Sequence, residues 1–228
     1  MEELDVTRTF LYANLEEEVY LEILEGMFAE EMPGKVLRLF KALYGLKQSP
    51  RMWNLHVDKA LSEFGLERLT ADFCVYAIHQ GGRRIVLGLF VDDMFVIGKV
   101  MELIDGVKGL LHSRFKMKDL GAATFLLGME SRRLPRGDVQ LLQEKYLGEV
   151  LLRYPVVNPP AASTPLPPGC KLSQTDSPTS AADKAKMAAI PYRSAIGSLM
   201  YLAVCTRPDI SAPVRCLSRF NHNPGMAH

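Results

Sequence analysis

Two adjacent carboxylates, Asp92 and Asp93, sit between two strongly apolar runs, IVLGLFV ending at Val91 and MFVIG starting at Met94. Short β-forming runs of this kind read as strands, and the acidic pair between them reads as the tip of a hairpin. Two like charges beside apolar strands repel each other and are costly to desolvate unless a cation neutralises them. Magnesium, a hard cation that takes oxygen ligands, suits such a pair. Successive strand side chains point to opposite faces, so only a tight turn lets both carboxylates approach one site. On that reading Asp92 is the stronger ligand and Asp93 the accessory one. Taken alone, the pair also fits an ordinary polar turn.

A third carboxylate adds to the pattern. Asp5 lies in LDVTRTFL, where Leu4, Val6 and the later Phe10 and Leu11 mark a short strand running into a turn. The 87 residues from Asp5 to Asp92 leave room for a strand–helix–strand excursion, so neighbouring central strands can bring three carboxylates together. Phosphoryl transfer with two metal ions needs such a cluster, one ion activating the attacking hydroxyl and the other steadying the leaving group.

The rest of the chain supplies a mixed α+β frame. KVLRLF (35–40) alternates as a strand; Ser49-Pro50 opens a helix, Ser49 as its cap, with Trp53, Val57, Ala60, Leu61 and Phe64 on one face and Gly65 at its end. Residues 73–79 and 84–91 read as strands joined at Gly81-Gly82. Ile104, Val107, Leu111 and Phe115 mark a second helix, residues 123–130 and 138–142 two more strands, and Leu147, Val150, Leu151 and Tyr154 a third helix. Seven prolines between 155 and 180 oppose regular structure and make this stretch the expected domain boundary. Beyond it, Tyr192, Ile196, Leu199, Met200 and Ala203 form a helical stripe. Thr206-Arg207-Pro208 opens a further helix that would hold Pro213 in its interior, at a cost of roughly 3 kcal/mol.

Composition excludes several classes. A chain that is 48% hydrophobic and 23% charged is globular, no apolar run approaches the roughly 20 residues of a membrane span, and the first residues lack a secretory signal pattern. Cys74, Cys170, Cys205 and Cys216 are scattered, which argues against a disulfide framework or zinc knuckle and for a reducing compartment. The five histidines show no ligand spacing, so His56 and His112 read as plain helix residues. Net charge is only +1, but ten carboxylates crowd residues 1–31 and seven basic side chains crowd residues 106–136. The basic stretch can track phosphates, or the two can be solvated faces of opposite sign.

Seven blocks in order carry a resemblance. LDVTRTFLYANLEEEVYLE, ALYGLKQSPRMWN, LFVDDMFVIG and FKMKDLGAATFLLGMES resemble the consecutive polymerase blocks of reverse transcriptases from copia-type LTR retrotransposons. STPLPPGCKLS, YRSAIGSLMYLAVCTRPDI and LSRFNHNP resemble that family's downstream signature. The resemblance covers nearly the whole chain. It implies a right-hand polymerase fold with an antiparallel-sheet palm, incomplete fingers and a helical thumb. The palm would comprise 1–12 and 49–136, the remaining fingers 13–48 and the start of the thumb 137–158. A Pro/Ser-rich linker would follow at 159–182, then a helical connection at 183–228 toward a ribonuclease H domain.

The resemblance further implies that Asp5, Asp92 and Asp93 are the catalytic, metal-binding aspartates, holding two Mg²⁺ ions or Mn²⁺ in their place. Phe10 matches the aromatic that rejects a 2′-hydroxyl, with Thr9 and Val91 beside the nucleotide. Gly45, Lys47, Ser49 and Pro50 match the block that contacts template and nascent base pair. Phe125, Leu126, Leu127, Gly128 and Met129 match the primer grip. Partners would be an RNA template, a DNA or RNA primer and deoxynucleoside triphosphates, with no membrane involved. The region would belong to a polyprotein with integrase upstream and ribonuclease H downstream, truncated here at both ends. Its location would be the cytoplasm, within virus-like particles. A second reading is a catalytically inactive remnant that acts as an RNA-binding palm module, although the aromatic run of an RNA-recognition motif is missing. Thr9 stands where the family usually has alanine, and Phe90 where it usually has tyrosine.

Overall fold

A computed structural model describes residues 1–23, 34–156, 162–167 and 169–228. The chain is α+β and forms two compact units, Met1–Ala123 and Thr124–His228. The proline-rich stretch therefore lies inside the second unit.

The first unit begins with β1 (Glu2–Val6), a 3-10 turn over Thr9–Tyr12, and the hairpin β2 (Asn14–Glu22) and β3 (Val36–Lys41). Then come α1 (Ser49–Glu63), β4 (Glu67–Arg68), β5 (Val75–Gln80), β6 (Arg83–Phe90), β7 (Asp93–Ile97), α2 (Met101–Arg114) and β8 (Met117–Ala122). The six-stranded antiparallel sheet has the order β4-β5-β6-β7-β1-β8, which places β1 between β7 and β8. Alternation decides its faces. Leu4 and Val6 of β1, Leu87 and Leu89 of β6, and Met94 and Val96 of β7 share one buried cluster with Trp53, Val57, Ala60 and Leu61 of α1 and Ile104, Val107 and Leu111 of α2. Each of these side chains contributes roughly 1.5–3 kcal/mol on burial, alanine less. Glu3, Asp5 and Asp93, at the intervening positions, fall on the face away from the helices.

The N-terminus of α1 departs from the expected cap. Gln48 is the N-cap and Ser49 the first helical residue, while the Ser49 hydroxyl turns back and donates to the Leu43 carbonyl at 2.5 Å. A buried hydroxyl takes whichever backbone partner lies in reach, and here that partner is in the preceding loop.

The second unit opens with β9 (Phe125–Leu126), β10 (Met129–Arg133) and β11 (Val139–Leu142), a three-stranded antiparallel sheet, followed by α3 (Glu144–Arg153). The single strand expected over 123–130 is thus a hairpin. Leu127 and Gly128 both take positive φ, 50° and 81°, as a two-residue I′ turn demands. The strand β8, just before it, has no clear alternation in sequence.

After a capped 3-10 turn at Gln174–Asp176 come α4 (Ala181–Ala188), α5 (Tyr192–Cys205), a 3-10 turn at Pro208–Ile210 and α6 (Ser211–Ser218). Ile196, Ala203 and Val214 form this unit's small core. Pro213 does not break a helix. The 3-10 turn ends at Ile210, so Pro213 is the third residue of α6, where its missing N–H has no intrahelical acceptor to lose. All four cysteines are free. Among the described residues no single helix is long and apolar enough to cross a membrane.

Candidate active site

Asp5 and Asp93 face each other directly across the β1–β7 ladder, in the register Asp5↔Asp93 next to Leu4↔Met94. Paired residues of an antiparallel ladder project to the same face, so both carboxylates stand on the side away from the helices. Asp92 occupies the turn between β6 and β7. Phe90 pairs with Asp93, which leaves Val91 and Asp92 as a two-residue hairpin loop. Val91 takes φ of 56° and Asp92 does not, the pattern of a type II′ turn. That first position normally holds glycine, and a β-branched residue there is strained.

Two hydrogen bonds hold the strained tip. The Trp53 indole N–H of α1 donates to the Val91 carbonyl at 2.7 Å, and the Val6 N–H of β1 donates to the Asp92 carbonyl at 2.8 Å. The helix and the neighbouring strand thereby fix the backbone of both turn residues. On the other side of β1, Lys118 of β8 is opposite Asp5.

The electrostatics follow from this crowding. Burial, then the charges of Asp92 and Asp5, push the Asp93 carboxyl above its ordinary range. Burial, then Asp93 and Asp5, do the same to Glu3, one strand pleat from Asp5. For Asp93 and Glu3, burial and the repulsion of neighbouring carboxylates both disfavour the charged form. Asp5, Asp92 and Asp93 offer only oxygen donors, which fits a hard divalent ion by ligand type. As their side chains stand, no three histidine, cysteine, aspartate or glutamate residues among those described already form a metal-holding group.

The other expected site residues fall in three places. Thr9 and Phe10 lie in the 3-10 turn directly after β1. Thr9 is fully buried, its hydroxyl donating to the Val6 carbonyl at 2.9 Å, so its branched side chain braces its own turn. Phe10 is only 6% exposed and packs edge-on against Tyr44 at 4.5 Å, which brings it beside the loop that holds Gly45. Lys47 and Pro50 are exposed near the start of α1, and Ser49 is buried. Phe125–Met129 belong to the second unit, where the Tyr201 hydroxyl of α5 donates to the Leu127 carbonyl and steadies the hairpin turn.

Sequence reasoning missed Trp53, Glu3 and Tyr201 as parts of these sites. Trp53 shows itself in sequence only as one member of an apolar helical stripe, and nothing there reveals which carbonyl its N–H meets.

Comparisons with known proteins identify the family. A family model described as reverse transcriptase (RNA-dependent DNA polymerase) matches residues 1–168. The retrovirus-related Pol polyprotein from transposon TNT 1-94 of Nicotiana tabacum is 44% identical over 100% of this chain, and that from transposon RE1 of Arabidopsis thaliana is 34% identical over 99%. The chain spans only 17% and 15% of those two polyproteins. The putative transposon Ty5-1 protein of Saccharomyces cerevisiae is 31% identical over 99% of the chain, which here covers 71% of the relative. With the family match over most of its length and relatives of this kind in plants and yeast, the chain belongs to the reverse transcriptases of copia-type transposon Pol polyproteins.

Proposed function

We propose that this chain supplies the catalytic carboxylates for template-directed addition of deoxynucleotides to a primer 3′ end. The observation that carries the reading is the Asp5↔Asp93 pairing on neighbouring strands, with Asp92 in the adjoining turn. Asp5, Asp92 and Asp93 would hold two divalent ions, Mg²⁺ or Mn²⁺. When bound, these ions supply Lewis-acid stabilisation of the charge that develops on phosphoryl oxygens and lower the pKa of a coordinated hydroxyl.

The chain's own residues prepare that chemistry. Trp53 and Val6 hold the Val91–Asp92 turn rigid, so the carboxylates need little reorganisation as charge develops. Lys118, opposite Asp5, adds positive charge at the edge of the cluster and suits a phosphate-bearing ligand. In this reading the six-stranded sheet with α1 and α2 is the palm, the β2–β3 hairpin belongs to the fingers, and the pinned Leu127-Gly128 turn grips the primer. Template RNA, primer and deoxynucleoside triphosphates are the substrates.

The test is primer extension on a primed RNA template with Mg²⁺ or Mn²⁺, this chain being carried in a full-length Pol polyprotein. Asp5→Asn, or the double change Asp92→Asn with Asp93→Asn, should abolish extension while leaving the fold intact. Extension that survives both substitutions would sink the assignment, and a wild-type protein that binds primed RNA without extending it would favour an inactive RNA-binding module.

A further inference from the structure

Lys108 projects from the middle of α2 into the sheet, only 8% exposed, and meets two carboxylates. Its ammonium donates to Glu2 Oε2 at 3.1 Å and to the two Asp119 oxygens at 3.0 and 2.9 Å. Glu2 begins β1 and Asp119 lies in β8, so one cation ties a helix to two neighbouring strands. A buried lysine at mid-helix packs its methylene stem like an apolar side chain, but its ammonium is costly to desolvate, so the ion pairs need an explanation beyond packing.

The β1–β8 ladder supplies that explanation, because its register is irregular where it matters. Glu3 is opposite Gly121 but Leu4 is opposite Asp119, which leaves Leu120 as an extra residue in a bulge. Gly121 takes φ of 74° there, and its N–H donates to Asp119 Oδ1 at 2.9 Å. A bulge fixes one register over the regular pairing that competes with it, so whatever holds the bulge holds the register. A one-residue slip of β1 would turn Asp5 toward the helices and bring Leu4 to the face of Asp93. The Lys108 ammonium grips Glu2 on one side of the irregularity and Asp119 on the other, and the same Asp119 carboxylate closes the bulge.

We propose that Lys108 is a positioning residue: through Glu2 and Asp119 it locks the register of β1 and so sets Asp5 opposite Asp93. The inference rests on the reading of Asp5 and Asp93 as the catalytic pair. The charges support it in direction. Hydrogen bonding to Lys108 holds the Asp119 carboxyl below its ordinary range. Burial would lower the Lys108 ammonium, but the hydrogen bonds to Asp119 and Glu2 outweigh it and raise it.

The experiment uses the whole chain. Amide hydrogen exchange would be followed at Val6, whose N–H bonds the Asp92 carbonyl, and at Thr7, whose N–H bonds the Lys116 carbonyl. Lys108→Met is compared with whichever of Val107→Ala and Leu111→Ala, on the same helix, matches it in global stability. The clamp predicts that Val6 and Thr7 exchange about tenfold faster in Lys108→Met than in the matched control, with β5 and β6 amides equal in the two. Lys108→Arg should recover most of the protection. Mn²⁺ affinity, read by electron paramagnetic resonance, should fall about tenfold in Lys108→Met and not in the control. If Lys108→Met does not fold, Asp119→Asn asks the same question, since that side chain is 42% exposed and its loss is milder. Equal exchange at Val6 and Thr7 in variant and control overturns the proposal and leaves Lys108 a packing residue. Equal Mn²⁺ affinity in wild type and Asp93→Asn would instead count against the catalytic-site reading, and exchange alone would then decide the clamp.

Discussion

Among the described residues, Val91 is the one β-branched side chain held at a positive φ. Strain at a positive φ costs roughly 1–3 kcal/mol for a side chain of this kind, whereas glycine loses roughly 0.5–1 kcal/mol in chain entropy. Val91→Gly should therefore leave stability unchanged or raise it by about 1 kcal/mol in urea unfolding, where valine to glycine in a strand ordinarily destabilises. A clear loss would mean that the turn is unstrained. Asp93 makes the second prediction. Its folded pKa is raised, so the folded state takes up a proton more readily than the unfolded chain. The stability gained by that uptake is absent at neutral pH, appears as pH falls through the raised value and is complete below the ordinary aspartate range. Without metal, Asp93→Asn should thus melt higher than wild type at pH 7, and the gap should close as pH falls into the carboxylate range. Added Mg²⁺ should raise the melting point of wild type more than that of the variant. Calorimetry in chelator and in Mg²⁺ checks both signs.

At the scale of elements, the Val91–Asp92 turn depends on a helix that is distant in sequence. Trp53 lies 38 residues before Val91, and its indole N–H is the donor to that carbonyl. Trp53→Phe keeps an aromatic ring in the core but leaves the carbonyl without this donor, a loss of about 1–3 kcal/mol. Chemical denaturation should show it, and the Val91–Asp92 amides should exchange faster than those of β5. Unchanged exchange at the turn would show that the β6–β7 hairpin holds itself. The surrounding aromatic group has a similar role. Tyr12 and Phe115 pack edge-on at 5.3 Å, Phe115 meets Trp53 at 5.4 Å, and the Tyr12 hydroxyl accepts from the Lys116 N–H at 2.7 Å. The 3-10 turn after β1, α1 and the start of β8 are thereby joined around the strand that carries Asp5.

At the scale of the whole molecule, each compact unit has its own buried cluster, the first much the larger. The first unit contains every strand of the six-stranded sheet, both of its helices and all three candidate catalytic aspartates. Residues 1–123 expressed alone should therefore fold cooperatively, with a single urea transition and native-like chemical shifts for β1, β6 and β7. A fragment that stays unfolded would show that the second unit is needed for the sheet. In the full chain, the smaller core of the second unit predicts that α5 and α6 lose amide protection at lower denaturant than β6 and β7.

What the sequence determined by itself was local. Continuous apolar runs on either side of Asp92-Asp93 dictate the β6–β7 hairpin, but its two-residue loop is Val91-Asp92, with Asp93 already in β7 and paired with Phe90. The stripes of α1 and α2 and the glycine pair between β5 and β6 were legible as well. The ordered blocks were enough to assign the family and to name Asp5, Asp92 and Asp93 as candidates. Other features were decided only when distant segments met. Residues 123–130 form a hairpin because Leu127 accepts the αL backbone conformation that Gly128 and Tyr201 support, a choice no periodicity records. Ser49 gave up its cap for the Leu43 carbonyl, and Pro213 proved harmless because a 3-10 turn restarted the helix before it. The Lys108 triad could not be foreseen, since Glu2 lies 106 residues from it and only the β1–β8 pairing brings Asp119 alongside. A sequence records hydrophobic period and turn chemistry, whereas register and the partner of each buried polar group are set by long-range pairing, and the Asp5–Asp93 alignment depends on that register.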